Sequence, residues 1–130
     1  MTIDSNRAVV KKFIKELLGS SNIDLIDELL APDYVNKSMG VTNRNDFKAM
    51  ISGLKDLPIR HYEIANLIAE GDSVVFRGDM NVTLANGKKV SARVITYDRL
   101  VNGKIVEDEP ISVPPLTEVM SGMIPPKTSS

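Results

Sequence analysis

Cysteine is absent from this 130-residue chain, and histidine occurs once, at His61. Without cysteine there is no disulfide, no thiolate zinc site and no thiol nucleophile. One histidine excludes a histidine-rich metal site and leaves little material for a histidine relay. An oxygen-only metal site is still allowed, but no EF-hand loop pattern occurs, and neither a nucleophile elbow nor a phosphate loop is found. The expectation is a protein with no metal and no cofactor. Lysine and arginine, 16 together, are balanced by 17 aspartates and glutamates and form no cluster, so a nucleic-acid partner is not expected. No apolar run approaches the roughly 18 residues of a membrane span, and no apolar signal region follows Met1. No membrane association and a cytoplasmic location are the resulting expectations.

Hydrophobic residues make up 42% of the chain and charged residues 25%, ordinary values for a soluble domain. The length suits one domain able to bury about two-thirds of its unfolded surface without staples. Neither an internal repeat nor a second domain is visible. The expectation is a single domain over 1–130, with its core at about 6–116 and a partly frayed tail at 117–130.

Residues 5 to 18 place Val9, Val10, Phe13, Ile14, Leu17 and Leu18 on one stripe, which predicts an amphipathic helix. Asp4 or Ser5 would cap it and Gly19 would stop it. A shorter helix is predicted from about Ile23 to Leu30, ended by Ala31-Pro32. Asp33 to Ser38 reads as a short extended piece or loop. A third helix begins near Asn45, shows Phe47, Met50, Ile51 and Leu54, and closes before Pro58. Alternation from Ile59 to Ala69 predicts a strand with Tyr62, Ile64 and either Leu67 or Ile68 on its apolar side. His61 then faces solvent.

The stretch Glu70 to Val113 reads as three antiparallel strands joined at Asn86-Gly87 and Asn102-Gly103, since both central residues of a type I′ turn need positive φ. Two-residue turns at both places would put residues summing to 173, then 205, opposite one another. One face then carries Val74, Phe76, Gly78, Met80 and Val82 with Arg93, Ile95 and Tyr97. The other carries Val75, Arg77 and Asp79 with Val94, Thr96, Asp98, Glu107, Glu109 and Ile111. A single bulge would flip part of this assignment. Asp98, Glu107 and Glu109 together are either a wet ion-pair network around Arg77 or a pocket cluster in which repulsion raises one carboxyl pKa.

Ala31-Pro32-Asp33-Tyr34-Val35-Asn36, Glu70-Gly71-Asp72-Ser73-Val74-Val75, Arg77, and Arg99 through Glu107 occur in an order that resembles the SnoaL-like polyketide cyclases of the nuclear transport factor 2-like superfamily. The resemblance covers about residues 6 to 116. It implies a cone-shaped α+β fold: N-terminal helices packed on a curved, mainly antiparallel sheet enclosing an apolar pocket, usually in a homodimer. It also implies a pocket carboxylate acting as general acid/base on a carbonyl-bearing substrate. The family's tryptophan place holds Glu109, its later aspartate place holds Ser112 or Val113, and the histidine after Tyr-Val is Lys37. The resemblance favours an inward second face, and a cavity widened at Gly78, where the family often has a large side chain. The apolar count favours an inward first face.

The functional expectation is a homodimer that binds a small apolar, carbonyl-bearing molecule and cyclises, isomerises or hydrates it. Glu109 or Asp98 would be the acid/base group, with Tyr34 or Thr96 orienting the substrate oxygen and Phe47, Met50 and Ile111 forming wall. Met39, Met50 and Met80 suit an adaptable lining. The alternative is a non-catalytic binding or interaction module of the same fold.

Overall fold

The computed structural model describes residues 2–20, 22–54, 60–83 and 87–114. The side chain of Leu54, Pro58, Asn86 and the apolar positions expected in the tail lie outside them. Helix α1 (Ile3–Lys12) continues into a π-helical segment, Phe13–Leu18. Its cap is Thr2 rather than Asp4 or Ser5: the Thr2 hydroxyl accepts from the Ser5 amide while Ser5 reaches back, a reciprocal capping box. The predicted stripe is buried at Val10, Phe13, Ile14 and Leu17. A 3₁₀ turn (Ile23–Leu25) capped by Asn22 leads into α2 (Ile26–Leu29). Strand β1 (Leu30–Val35) follows, where the sequence suggested only an extended piece or loop. Its partner is far along the chain, which local pattern does not reveal. A 3₁₀ turn at Lys37–Met39 precedes α3 (Arg44–Leu54). Strands β2 (Arg60–Glu70), β3 (Ser73–Thr83), β4 (Lys89–Val101) and β5 (Lys104–Val113) complete the fold.

The sheet order is β1-β5-β4-β3-β2, antiparallel throughout except for the parallel β1–β5 pair. This is the expected α+β architecture, with the helices on one face of the sheet and the sheet not closed into a barrel. Asn102 (φ 51°) and Gly103 (φ 78°) form the expected tight turn, and Val101 lies opposite Lys104. The other hairpin differs. Thr83 pairs with Lys89, so five residues separate the strands and partners sum to 172 rather than 173. Side chains alternate with period two, so one residue of slip exchanges the faces of β4 relative to β3. The inward face therefore joins Val74, Phe76, Met80 and Val82 from one expected face to Ala92, Val94, Thr96 and Asp98 from the other.

Two bulges set the remaining parity. On β2, pairing passes from Ile64↔Gly78 to Asn66↔Arg77, leaving Ala65 extra. Tyr62 and Ile64 stay on the core side and Leu67, not Ile68, succeeds them; Ile68 is exposed. On β5, pairing passes from Leu100↔Ile105 to Arg99↔Glu107, leaving Val106 extra. Beyond that point Asp108 turns inward, while Glu109 and Ile111 turn out.

Gly78 serves the first bulge rather than a wide cavity. A Cβ there would collide with the Glu63 carbonyl oxygen and come within 2.9 Å of the Phe76 ring. Backbone cannot yield as a flexible side chain can. Gly78→Ala is expected to destabilise by about 2–3 kcal/mol in urea unfolding, at the upper end for overpacking. Gly53, in α3 with nothing within 4 Å of the added atom, is the control. Gly53→Ala is expected to be neutral or to stabilise by up to ~1 kcal/mol.

Candidate active site

Between the helices and the inward sheet face lies a cavity of about 70 Å³. Its apolar wall includes Phe13, Phe47, Phe76, Met39, Met50 and Met80, so the expected methionine lining and the Phe47 and Met50 wall are present. Polar atoms enter from Asn36, Tyr62, Thr96 and Asp108. Thr96 is where the sequence reading placed it, buried and lining the cavity.

Asp108 is the centre of this polar patch. It is 5% exposed and lies across the strand pair from Asp98, which is 0% exposed. Its Oδ2 accepts from the Tyr34 hydroxyl at 2.7 Å and from the Asn36 amide nitrogen at 3.3 Å. Both donors are locally fixed. Tyr34 stands on β1 with its ring edge-on to Phe47, 5.2 Å between centroids. Asn36 closes a small loop with Val41 through two backbone hydrogen bonds, and its own Oδ1 accepts from the Met39 amide. With Oδ1 occupied, the amide nitrogen is the end presented to Asp108.

The remaining oxygens, Oδ1 of Asp108 and both of Asp98, are buried without a donor. As two carboxylates they would offer each other only lone pairs and repulsion. A proton on Asp98 turns that contact into a hydrogen bond to Asp108. Burial, then the charge of Asp108, pushes the Asp98 carboxyl well above the usual carboxylate range. Burial also raises Asp108, against the hydrogen bonds from Asp98, Tyr34 and Asn36 that favour its charge. The donors from Tyr34 and Asn36 favour charge on Asp108, so a proton shared by the pair is favoured on Asp98. Burial and the neighbouring Asp108 push the Tyr34 hydroxyl well up, and burial pushes Tyr62 up to about 12, so both remain donors.

The other sequence candidates lie elsewhere. Glu109 is exposed on the outer face opposite Tyr97, and Ile111, 67% exposed, faces outward opposite Ile95. The Val106 bulge removes both from the cavity. Tyr34 stands behind the wall and is committed to Asp108 rather than lining the cavity. Asp98 also lies behind the lining. His61 is exposed, as expected, 3.7 Å from Glu63. Asp108 and Asn36 were missed, because a bulge leaves no mark in an alternating sequence; only the rule that bulges flip parity pointed that way. Among the described residues no group of three or more histidines and carboxylates could hold a metal ion.

A helical layer over one face of a five-stranded sheet is the fold the chain shares with NTF2-like structures. Within it, the chain belongs to the SnoaL-like domain family, whose model matches residues 10–108. Similar solved structures include an LEH-like epoxide hydrolase from M. tuberculosis (TM-score 0.78, 15% identity, 92% of each chain). They also include a provisionally named polyketide cyclase from Acidithiobacillus ferrooxidans (0.75, 18%, 94% of this chain and 99% of that one). A third is an NTF2-like protein of unknown function from Burkholderia pseudomallei (0.75, 20%, 95% and 98%). At these identities the likeness shows a shared fold. No curated protein sequence matches the chain.

The proton on the pair has a stability consequence. A carboxyl whose folded pKa is raised holds a proton the unfolded chain has released, so stability falls as pH rises above about 4. Asp98→Asn supplies a permanent neutral donor and removes that dependence. Its melting temperature should exceed that of the native protein near pH 8 and converge with it towards pH 4, as followed by calorimetry.

Proposed function

We propose that the protein is a cofactor-independent acid/base enzyme acting on a small, mostly apolar, carbonyl-bearing molecule. The observation that carries this reading is the Asp98–Asp108 pair at the cavity wall. Among the described residues, Asp108 is the acidic group that lines the cavity, and donors behind it favour its charged form. Its carboxylate takes the proton from carbon next to the substrate carbonyl, while Thr96 or Tyr62 donates a hydrogen bond to the oxygen. In a β,γ-unsaturated ketone Asp108 returns the proton to the far end of the dienolate, which is an isomerisation; in a dicarbonyl the enolate carbon attacks the second carbonyl and Asp108 returns the proton to the new alkoxide, which is a cyclisation. Asp98 and Tyr34 act through Asp108 as positioning residues.

Size narrows the substrate. A cavity of about 70 Å³ lies below the roughly 300–1,000 Å³ of drug-sized pockets and suits a molecule of a few heavy atoms. A polycyclic substrate would require the three methionines to move aside. Exchange of the α-protons of butanone in deuterium oxide, followed by NMR, tests the reading. Asp108→Asn should lower the catalysed exchange by roughly 10²–10⁴-fold, the usual worth of a positioned acid/base group. Glu109→Gln should leave it unchanged. No exchange above buffer would favour the binding-module reading.

The same reading includes a homodimer, in the cytoplasm. Ile68, Ile95, Ile111 and Val113 are all at least half exposed on the outer side of the sheet, and Ile95 is paired with Ile111. An apolar patch of this kind on a sheet face suits a self-complementary interface. Sedimentation should return a dimer of the 14.3 kDa chain, and Ile95→Lys with Ile111→Lys should return the monomer.

A further inference from the structure

Among the described residues, the cavity presents an acid with no basic side chain beside it. Among the described residues its lining holds one carboxyl, Asp108, and no lysine, arginine or histidine. Around it stand the rings of Phe13, Phe47, Phe76 and Tyr62 and three methionine thioethers. The Asp108 Oδ1 atom is buried and has no donor other than a proton held on Asp98. On the cavity side the titratable groups around Asp108 are Asp98 from β4, Tyr34 from β1 and Tyr62 from β2, while Lys37, Glu107 and Glu109 share a separate outer cleft with it. A buried carboxylate costs several kcal/mol unless a partner compensates it. In the empty site only the Tyr34 and Asn36 donors and the proton on Asp98 offset it.

We infer that the same cavity binds a small aliphatic ammonium ion, such as a trimethylammonium group, against Asp108. Methyl groups on nitrogen carry the spread positive charge of the ion and pack on ring faces, where the quadrupole attracts them. Methionine sulfur adds a soft, deformable wall. The charge of the ion is set against the Asp108 carboxyl, the acid of the lining. A cation of four heavy carbon and nitrogen atoms is also the size the cavity admits as it stands. No covalent step is involved: the ion binds against the charge on Asp108 while Asp98 keeps its proton. The inference rests on the reading of Asp108 as the ionising group of the cavity, and it adds a ligand class that a carbonyl substrate does not share.

The charge makes the prediction specific. Trimethylammonium should bind more tightly than tert-butanol, a neutral molecule of similar shape, by about tenfold or more at pH 8. That preference should shrink on acidification, because protonating the pair removes the charge the cation needs. Isothermal titration of the wild-type protein with both compounds at pH 8 and pH 5 reads this without any variant. Asp108→Asn, which keeps the shape of the side chain, should abolish the preference and leave tert-butanol binding in place. Equal affinity for the two compounds, a preference indifferent to pH, or a preference surviving in Asp108→Asn would each overturn the inference. The ketone exchange assay separates the two readings. Ammonium binding without exchange keeps this inference and removes the enzyme, and exchange without ammonium selectivity does the reverse.

Discussion

Side-chain parity on β5 is the constraint on which the site depends. Ile105 faces the core, and in a regular strand Glu107, Glu109 and Ile111 would follow it inward. The extra residue at Val106 reverses the alternation, so that Asp108, Pro110 and Ser112 take the inner positions. One inserted residue thereby selects which of three consecutive acids, Glu107, Asp108 or Glu109, meets the cavity. It also sets Asp108 directly across from Asp98. The shift ends the β1 pairing too. Strand β1 reaches only to Val35↔Glu107, leaving Pro110 at an open edge where its missing N–H costs nothing.

The carboxyl pair runs against the usual preference for satisfied burial. Two acids share a dry strand pair, and three of their four oxygens lack a donor until a proton is added. Such a pair adds little to stability by itself, because its desolvation offsets what its hydrogen bonds contribute. Tyr34 and Asn36 show where the protein places its support. Both bond to Oδ2 of Asp108 and neither bonds to Asp98. The two carboxyls are thereby made unequal, one a retained acid and the other an available base.

Much of the architecture was legible because it is encoded locally. The helical stripe of Val10, Phe13, Ile14 and Leu17 and the Asn102-Gly103 turn each depend on spacing within a few residues. The family order added the α+β class and the layer arrangement. What stayed hidden was register. The Asn86-Gly87 signal suggested a two-residue turn, whereas Thr83 pairs with Lys89 and the faces exchange by one. Neither expected face was right as drawn, since each supplied one strand of the true interior. Glu109 was singled out because alternation without the Val106 bulge points it inward. Strand β1 was hidden because its stabilising partner, β5, lies some 70 residues away and its pattern of burial is interrupted by Pro32 and Asp33.

That separation has a kinetic side. The Tyr34–Asp108 bond spans 74 positions and the Asn36–Asp108 bond 72. Closing so long a loop is entropically costly, and it comes before the contacts that reward it. The hairpins of β2 through β5 need only neighbours in sequence, so the sheet can form while β1 is still unattached. The site is therefore a late product of folding and is absent from any fragment lacking either end of the pairing. Loss of β1 alone, by proteolysis near Pro32 or local opening, would disarm Asp108 while much of the antiparallel sheet survived.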